Sequence, residues 1–257
     1  MSPSAPLGRF VWYELMTTDP KAAKAFYPTV TGWTTQPWGD DQSYTLWMNG
    51  GAPLAGLMIL PDEVKAAGAP PHWMGYVLTA DVDDSAEKAA AGGGTILKPP
   101  DDIPNVGRFS VIADPQGAVI ALYTPSAESP GHDGPPRPGE FSWHELATTD
   151  DGAAFSFYSN LFGWEQQSTF DMGPAGVYRI YGQHGIPYGG IYRKPPEMPV
   201  PAWTYYILVP SADEAATTAT RNGGQVLVPP MEVPGGDRIA VGQDPQGAVF
   251  AVHSKKQ

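Results

Sequence analysis

The chain has 257 residues, enough for two domains of ordinary size that each bury a hydrophobic core. Its formal net charge of −12, from 27 acidic and 15 basic residues, argues against a partner surface of nucleic acid or anionic lipid. The absence of cysteine excludes disulfide bonds, thiolate catalysis and zinc sites with sulfur ligands.

The first predicted module has the order βαβββ. Alternating residues predict a strand over Arg9–Met16, and Thr18 or Asp19 then caps a helix that ends at Gly32. Three short strands follow, and Asn49-Gly50 is a hairpin turn between the last two. These strands are predicted over Trp33–Trp38, Ser43–Met48 and Pro53–Leu60.

The same order recurs immediately downstream. A strand is predicted over His72–Thr79, a helix follows from its cap at Asp81 to Ala91, and the glycines at 92–94 stop it. The turn that begins at Asp114 joins the last two strands of this module. Its three later strands are predicted over Thr95–Lys98, Gly107–Ala113 and Ala118–Thr124.

The pair of modules is then written a second time. The segment Phe10–Asp19 recurs as Phe141–Asp150, 131 positions later, and the turn at Asp114 recurs at Asp244. In the second copy the central strand is predicted over Trp203–Val209 and the following helix over 212–221. Prolines and glycines between the copies predict a linker. The predicted domains are 1–125, with modules 9–60 and 72–124, and 139–257, with modules 140–192 and 202–254, joined by a linker at 126–138.

Several repeated motifs resemble those of one protein superfamily. Both copies carry Phe-Tyr and then Gly-Trp around the end of the first helix, an Asp-Pro-x-Gly turn, and the opening Trp-x-Glu-Leu-x-Thr-x-Asp. In these motifs the chain resembles the vicinal oxygen chelate superfamily, which contains glyoxalase I, bleomycin-resistance proteins, fosfomycin-resistance enzymes and extradiol dioxygenases. Its opening motif more specifically resembles that of the bacterial tandem glyoxalase-like proteins. The resemblance implies an α+β fold in which four βαβββ modules form two glyoxalase-like half-barrel domains in tandem.

The resemblance also implies where a divalent metal would bind. Catalytic members of the superfamily place one ligand on the first strand of each domain, one on the fifth and one on the eighth. These positions fall on Trp12, Met74 and Ala121 in the first copy, and on Trp143, Thr204 and Ala251 in the second. None of these side chains suits a cation that prefers carboxylate or imidazole ligands. We therefore expect no metal and no cofactor at the usual site.

A glutamate follows the first-strand tryptophan at strand spacing in both copies. Because a strand alternates its faces, Glu14 and Glu145 should each share a face with the tryptophan two residues before them. A carboxylate that faces an aromatic cavity needs a partner, and Arg108 and Arg238 recur in register on a late strand. Two interpretations stay open: a structural ion pair, or a role in ligand binding or acid–base chemistry.

Histidines distinguish the second copy from the first. His253 could reach the second cavity, where with Glu145 it would form an acid–base couple or two ligands of a displaced metal site. Its nearness to the carboxyl terminus instead favours simple solvent exposure. His144 is expected in the core or at its edge. His132 and His184 are expected in the solvated linker and in a turn.

Aromatic residues recur on the strands expected to line the two cavities. An inward-facing subset of them would hold a flat, apolar or aromatic small molecule by stacking. The candidate catalytic residues are Glu145 and His253. The candidate ligand-binding residues are Trp12, Glu14, Met74, Tyr76, Arg108, Trp143, Thr204, Tyr206 and Arg238.

Three functions are compatible with these features. We favour a metal-independent binder of a small apolar or aromatic molecule, of the sequestering or resistance type. An alternative is a metal-dependent lyase, isomerase or dioxygenase of the same superfamily, with an off-pattern site around Glu145 and His253. A catalytically silent interaction module, with its cavities filled by side chains, is the third. We expect a small-molecule partner, no nucleic-acid or membrane partner, a monomer or homodimer, and a cytoplasmic location, because the sequence lacks signal-like and membrane-spanning patterns.

Overall fold

The computed structural model describes residues 7–39, 43–127 and 134–256, which form two eight-stranded sheets with short helices. This is the α+β class that the sequence predicts. His132, expected in the linker, lies outside the described residues. In the part of the chain that is described, no helix is both long enough and apolar enough to span a bilayer.

The described residues of the first copy form eight strands and three helices. Its elements are β1 (Phe10–Thr17), α1 (Pro20–Thr31), β2 (Thr34–Pro37), β3 (Tyr44–Asn49), β4 (Ala52–Ile59), α2 (Asp62–Ala66), β5 (His72–Leu78), α3 (Val82–Ala91), β6 (Thr95–Ile103), β7 (Gly107–Ala113) and β8 (Val119–Pro125). The short helix α2 was not predicted, because its cap residue Pro61 makes no side-chain hydrogen bond and so gives no capping signal.

The second copy contributes eight strands, two helices and one 3₁₀ turn. Its elements are β9 (Phe141–Thr148), α4 (Asp151–Phe162), β10 (Glu165–Asp171), the 3₁₀ turn Gly173–Ala175, β11 (Val177–Gln183), β12 (Ile186–Arg193), β13 (Ala202–Leu208), α5 (Ala212–Arg221), β14 (Gln225–Glu232), β15 (Arg238–Gln243) and β16 (Val249–Ser254). His184 lies in the turn between β11 and β12, as predicted, with a positive φ of 52°.

Local capping explains the helix limits. The side chain of Asp19 accepts a hydrogen bond from the backbone of Ala22 at the start of α1, and Asp150 does the same for α4. Both helices end on a glycine in the left-handed conformation, with φ of 78° at Gly32 and 72° at Gly163. The repeated Asp and Gly of the sequence motif therefore mark the two ends of each helix.

Strand β6 is longer than predicted. The sequence analysis predicted an end at Lys98, but β6 continues to Ile103. Its pairing with β7 shifts register between Lys98 and Asp101, at the prolines, and β6 lies at the edge of its sheet. A proline costs little there because its missing N–H is not needed by a neighbouring strand.

Both sheets have the same strand order. The first sheet runs β2-β3-β4-β1-β5-β8-β7-β6, and the second runs β10-β11-β12-β9-β13-β16-β15-β14. The strand β1 pairs with β4 in parallel, and β5 pairs with β8 in parallel. The second copy repeats both parallel pairings.

The chain packs into two compact units that do not follow the sequence halves. Unit 1 comprises the described parts of Met1–Val11, Gly75–Gly134 and Trp143–Trp203. Unit 2 comprises the described parts of Trp12–Met74, Pro135–Ser142 and Thr204–Gln257. The sheets and the compact units divide the chain differently, so the domain limits drawn from the sequence stay a prediction.

In unit 1 a buried tyrosine connects helix α4 to the repeated turn. The hydroxyl of Tyr158 donates to Asp114 Oδ2 at 3.1 Å and accepts from the indole of Trp203 at 3.2 Å. The other carboxylate oxygen of Asp114 accepts the backbone N–H groups of the turn at Gln116 and Ala118. The Asp-Pro-Gln-Gly motif is thus an anchored turn with a structural role.

Unit 2 contains the same network. The hydroxyl of Tyr27 on α1 donates to Asp244 Oδ2 at 3.1 Å and accepts from the indole of Trp73 at 2.8 Å. The indole of Trp33 donates to the carbonyl of Gly139 at 2.7 Å. The repeated Phe-Tyr and Gly-Trp motifs therefore belong to the hydrophobic core, where the tyrosine and tryptophan polar atoms find partners.

Candidate functional site

Three side chains in unit 1 form a continuous hydrogen-bonded chain, here called the second-copy cluster. Trp143 and Glu145 come from β9, and Tyr178 comes from β11. The indole N–H of Trp143 donates to the Tyr178 hydroxyl at 2.8 Å, and that hydroxyl donates to Glu145 Oε1 at 2.7 Å. All three residues are half-buried. The predicted shared face of Trp143 and Glu145 is thus occupied by one polar network with an aromatic frame.

Burial and the charge of Glu145 keep the Tyr178 hydroxyl and that of the neighbouring Tyr192 protonated. Burial raises the pKa of Tyr178, and the nearby Glu145 carboxylate raises it further. Burial and the Glu145 charge also raise the pKa of Tyr192, whose ring stacks on that of Tyr178 with centroids 5.8 Å apart. Tyr178 can therefore act as a hydrogen-bond donor to the carboxylate at neutral pH.

A glycine makes room for the second-copy cluster. Glu145 pairs with Gly190 across the parallel strands β9 and β12. A Cβ atom at Gly190 would overlap the ring and hydroxyl of Tyr178. The tyrosine therefore lies directly over the backbone of β12, and a residue with a side chain at position 190 would displace it.

Unit 2 contains a matching group, here called the first-copy cluster, made of Trp12, Glu14 and Tyr44. The indole N–H of Trp12 donates to the Tyr44 hydroxyl at 3.2 Å. Glu14 is only 6% exposed, and it pairs with Gly56 across β1 and β4. A Cβ atom at Gly56 would meet both the Tyr44 hydroxyl and a carboxylate oxygen of Glu14. The duplicated strands thus carry the same four residue types.

The sequence analysis missed the tyrosines of both clusters. Glu145 follows Glu14 by 131 positions, but Tyr178 follows Tyr44 by 134 positions, and Gly190 likewise lies 134 positions after its counterpart. The extra three residues fall between Trp164 and Tyr178, where β10 has seven residues and its counterpart β2 has four. An alignment that allowed this insertion would have brought the two tyrosines, and the two glycines, into register.

The predicted pairing of the glutamates with Arg108 and Arg238 is wrong. Arg108 donates to both oxygens of Asp83, at 2.6 and 2.9 Å, and to Asp102 at 2.8 Å. Arg238 donates to both oxygens of Asp213 at 2.7 and 2.8 Å. Asp83 and Asp213 lie in the first turns of α3 and α5, where carboxylates are favoured, and they offer each arginine a bidentate partner.

The usual metal positions carry no suitable donors. Met74 and both alanines, Ala121 and Ala251, are buried, and Thr204 is half-buried. The two tryptophans at the first-strand positions offer only an indole N–H, and each donates it to a tyrosine hydroxyl. Within residues 7–39, 43–127 and 134–256, no group of three or more His, Asp or Glu side chains could hold a metal ion. The side chains at these six positions therefore do not match the carboxylate and imidazole ligands that a divalent metal prefers.

The prediction that His253 is solvent-exposed is wrong. Its side chain is 12% exposed, its Nε2 lies 2.9 Å from Asp237 Oδ2, and its Nδ1 lies 2.9 Å from Ser142 Oγ. Asp237 comes from the β14–β15 turn, which folds back beside β16. Glu145 belongs to unit 1 and His253 to unit 2, so the proposed acid–base couple stays a prediction.

The other sequence candidates have structural surroundings. Tyr76 is buried in unit 1, with its ring 6.2 Å from that of Phe109. The carbonyl oxygen of Tyr206 accepts a hydrogen bond from Ser142 at 3.2 Å. His144 is buried as expected, stacks on Phe10 at 4.1 Å, and lies 2.9 Å from the carbonyl of Tyr188 through Nδ1.

The sequence matches a family model over most of both copies. The model describes the glyoxalase/bleomycin resistance protein/dioxygenase superfamily, and it matches residues 9–122 and 140–252. The chain belongs to this superfamily. Membership agrees with the doubled module order and with the resemblance that the repeated motifs indicate.

Two relatives match nearly the whole chain. CFP32 of Mycobacterium tuberculosis, provisionally named a glyoxylase, is 34% identical over 249 residues, which cover 94% of this chain and 92% of CFP32. The anthracycline biosynthesis protein DnrV of Streptomyces peucetius is 28% identical over 269 residues, which cover 98% of this chain and 93% of DnrV. The similarity to both relatives therefore extends over both copies of the repeat in this chain.

Two solved structures share the fold at low sequence identity. The Mn(II)-bound glyoxalase from Novosphingobium aromaticivorans is 17% identical, with a TM-score of 0.64, and the match covers 99% of this chain and 83% of that one. The 2,3-dioxygenase LapB from Pseudomonas sp. KL28 is 14% identical, with a TM-score of 0.67 and coverage of 98% and 94%. These similarities establish the fold and leave the reaction undetermined.

Proposed function

We propose that this protein binds a flat, hydroxylated aromatic small molecule at its Trp–Tyr–Glu clusters, without a divalent metal. The main support is the second-copy cluster, where an indole, a phenol and a carboxylate form one hydrogen-bonded chain in a half-buried position. The side chains at the usual ligand positions do not suit a metal. Recognition of a ligand therefore has to come from aromatic and hydrogen-bonding groups.

The second-copy cluster offers both kinds of contact. Stacked or edge-on aromatic pairs contribute about 0.5–1.5 kcal/mol beyond the area that they bury, and Trp143, Tyr178 and Tyr192 present three half-buried rings. A carboxylate accepts up to about four hydrogen bonds. Glu145 can therefore accept a ligand hydroxyl in addition to the hydroxyl of Tyr178. A planar molecule with a phenolic edge matches both features.

The relatives support this class of ligand. DnrV carries anthracycline biosynthesis in its name and aligns with 98% of this chain. An anthracycline is a flat, polycyclic molecule with phenolic hydroxyls, which is the shape and polarity that the clusters suit. We infer that the ligand is of this general type, with phenolic oxygens beside the glutamate and the ring system against the aromatic side chains.

The name of CFP32 favours a second candidate function, a metal-independent lyase or isomerase. In that case Glu145 would move a proton of the bound ligand, and the Tyr178 hydroxyl would stabilise its carboxylate form. Such an enzyme would exchange an acidic C–H of its substrate with solvent deuterium. Glu145→Gln would abolish the exchange because an amide cannot accept the proton.

A binding titration tests the proposal. The probe is 1,8-dihydroxyanthraquinone, followed by quenching of tryptophan fluorescence and by calorimetry. We expect a Kd in the micromolar range, which corresponds to about −8 kcal/mol. Glu145→Gln removes a charge-assisted hydrogen bond and should weaken binding at its site about tenfold.

The matched control is Glu165→Gln, which changes an exposed glutamate on β10 in the same unit. It loses the same charge, so a general electrostatic effect would appear in both variants. Equal affinities of Glu145→Gln, Glu14→Gln and the control would show that the clusters do not bind the probe. Absence of saturable binding by the native protein would also refute this ligand class.

A further inference from the structure

Unit 2 contains a serine, a histidine and an aspartate in one hydrogen-bonded line. Ser142 Oγ lies 2.9 Å from His253 Nδ1, and His253 Nε2 lies 2.9 Å from Asp237 Oδ2. We propose that this group, here called the seryl relay, is a nucleophilic site that takes acyl groups from small activated esters. The seryl relay shares no residue with the two Trp–Tyr–Glu clusters, and the proposal does not depend on their function.

The charges around the seryl relay fix its proton positions. Burial alone would raise the pKa of Asp237, but hydrogen bonds from His253, the Lys256 backbone and the Lys255 ammonium outweigh it and hold the pKa well below its usual range. An ionised carboxylate only accepts hydrogen bonds, so His253 Nε2 carries the proton that points to Asp237. Burial lowers the pKa of His253, so its ring is neutral at pH 7 and Nδ1 is an acceptor. The one hydroxyl proton of Ser142 can therefore be donated to Nδ1 in place of the Tyr206 carbonyl, which is its other acceptor.

The fold does not require the seryl relay. The first copy has Val11, Gly107 and Tyr123 at the three corresponding positions. Its strands β7 and β8 nevertheless pair in the same register, with Phe109 opposite Tyr123, as Ile239 lies opposite His253 between β15 and β16. The same strand pairing thus forms in the first copy without the serine, histidine and aspartate, so the pairing does not require the relay.

The backbone holds the serine in position for reaction. Ser142 is half-buried near the start of β9, and its hydroxyl is also within 3.2 Å of the carbonyl of Tyr206 on β13. The Tyr206 carbonyl and His253 Nδ1 are alternative acceptors for the one hydroxyl proton, which restricts the rotation of the side chain. The base, His253, is only 12% exposed and lies between the serine and Asp237. This is the order of nucleophile, base and orienting carboxylate that nucleophilic catalysis requires.

The acyl transfer that this arrangement supports needs no cofactor. Ser142 Oγ attacks the ester carbonyl carbon, and its proton moves to His253 Nδ1. The carbon–oxygen bond to the leaving group then breaks, and the leaving alcohol takes that proton. The product is an acyl-serine ester. Water, deprotonated by the same histidine nitrogen, hydrolyses it and restores the free hydroxyl.

Labelling of the intact protein tests the seryl relay. The probes are a fluorophosphonate, mapped by peptide mass spectrometry, and p-nitrophenyl acetate, followed by release of p-nitrophenolate. We expect the label on Ser142 and an initial burst of nitrophenolate. His253→Gln should slow labelling about 100-fold or more, since a positioned general base contributes 10²–10⁴-fold. Ser142→Ala should abolish the burst, whereas Ser156→Ala, which removes an exposed serine hydroxyl on α4, should leave it unchanged.

The pH dependence separates reaction from structural support. Labelling of the native protein should rise with pH as His253 loses its proton and then level off, and Asp237→Asn should lower the plateau. Peptide mapping of the labelled native protein needs no substitution, so poor folding of a variant does not affect that result. Labelling of Ser142 no faster than of Ser156, or equal labelling in His253→Gln, would overturn the assignment and leave the relay as a structural network.

Discussion

Gly190→Ala should disrupt the second-copy cluster by adding a single methyl group. Gly190 lies opposite Glu145, and a Cβ at this position would overlap the ring and hydroxyl of Tyr178. The backbone of β12 is held by pairing with β9 and β11, so the tyrosine side chain has to move. Its movement breaks the 2.8 Å bond from Trp143 and the 2.7 Å bond to Glu145.

The expected loss of stability follows from these two bonds. A neutral hydrogen bond contributes about 0.5–1.5 kcal/mol, and one to a charged group contributes about 1.5–3 kcal/mol. Alanine recovers about 0.4–1 kcal/mol because it restricts the unfolded chain. The free energy of unfolding of Gly190→Ala should therefore fall by about 1–4 kcal/mol, and the affinity for the anthraquinone probe should fall with it.

Urea unfolding and the fluorescence titration measure both effects. The control is Gly152→Ala in α4, where an added Cβ would lie no closer than 3.6 Å to a neighbouring atom. This variant should be at least as stable as the native protein, since alanine favours a helix. If Gly190→Ala matches the control in stability and in probe affinity, then the tyrosine does not hold the cluster together as we infer.

Three further predictions concern the core and the surface. Burial lowers the pKa of His144 to about 4, so acidification from pH 6.5 to 5 should destabilise the folded state by about 2 kcal/mol through this group, and His144→Gln should lose that slope in urea unfolding. Tyr27→Phe removes the shared buried partner of Trp73 and Asp244, and calorimetry should show a loss of about 2–4 kcal/mol. Arg108→Ala breaks only exposed ion pairs and should shift Tm by less than about 3 °C.

The sign of the His144 prediction follows from its lowered pKa. The unfolded state binds a proton near pH 6.5, whereas the folded state resists protonation until about pH 4. Stability from this group is therefore complete above pH 6.5 and is lost as the pH falls. Burial raises the pKa of Asp114, which opposes the effect in more acidic solution, so the comparison is made above pH 5.

The fold was predictable because its signals are local and repeated. The first helix of each copy has its cap and its terminal glycine within the repeated motif, as Asp19 and Gly32 show for α1. The alternation of strand residues correctly placed the first-strand glutamates on the side of their tryptophans. These features depend on near neighbours in the chain, and such neighbours are visible in the sequence.

The partners of charged groups were less predictable, because they depend on contacts between distant segments. Strand alternation indicates the face on which Glu14 lies but not which cation is nearest to it. Arg108 forms its ion pair with Asp83 instead, 25 residues before it in the chain. The position of His253 near the chain end suggested exposure, but the β14–β15 turn brings Asp237 to it. A three-residue insertion hid Tyr178 from the repeat alignment.

The packing of modules into compact units was also beyond the sequence. Modules 1 and 2 are adjacent in the chain and contribute to one sheet, yet Trp12–Met74 shares a compact unit with Thr204–Gln257. The hydrophobic pattern shows that each helix has a face to bury but not which module covers it. The buried bond between Tyr27 and Asp244, 217 residues apart, illustrates the point.

Binding of 1,8-dihydroxyanthraquinone to metal-stripped protein tests metal-free recognition most directly. The content of Fe, Zn, Mn and Ni is measured in protein purified without chelator; the protein is then treated with EDTA, and the probe is titrated before and after each metal is restored. We predict less than about 0.2 equivalents of bound metal and one micromolar Kd that the metals do not change, because the ligand positions offer no suitable donors. Stoichiometric metal that survives gel filtration, or probe binding that appears only after metal is restored, would contradict metal-free binding.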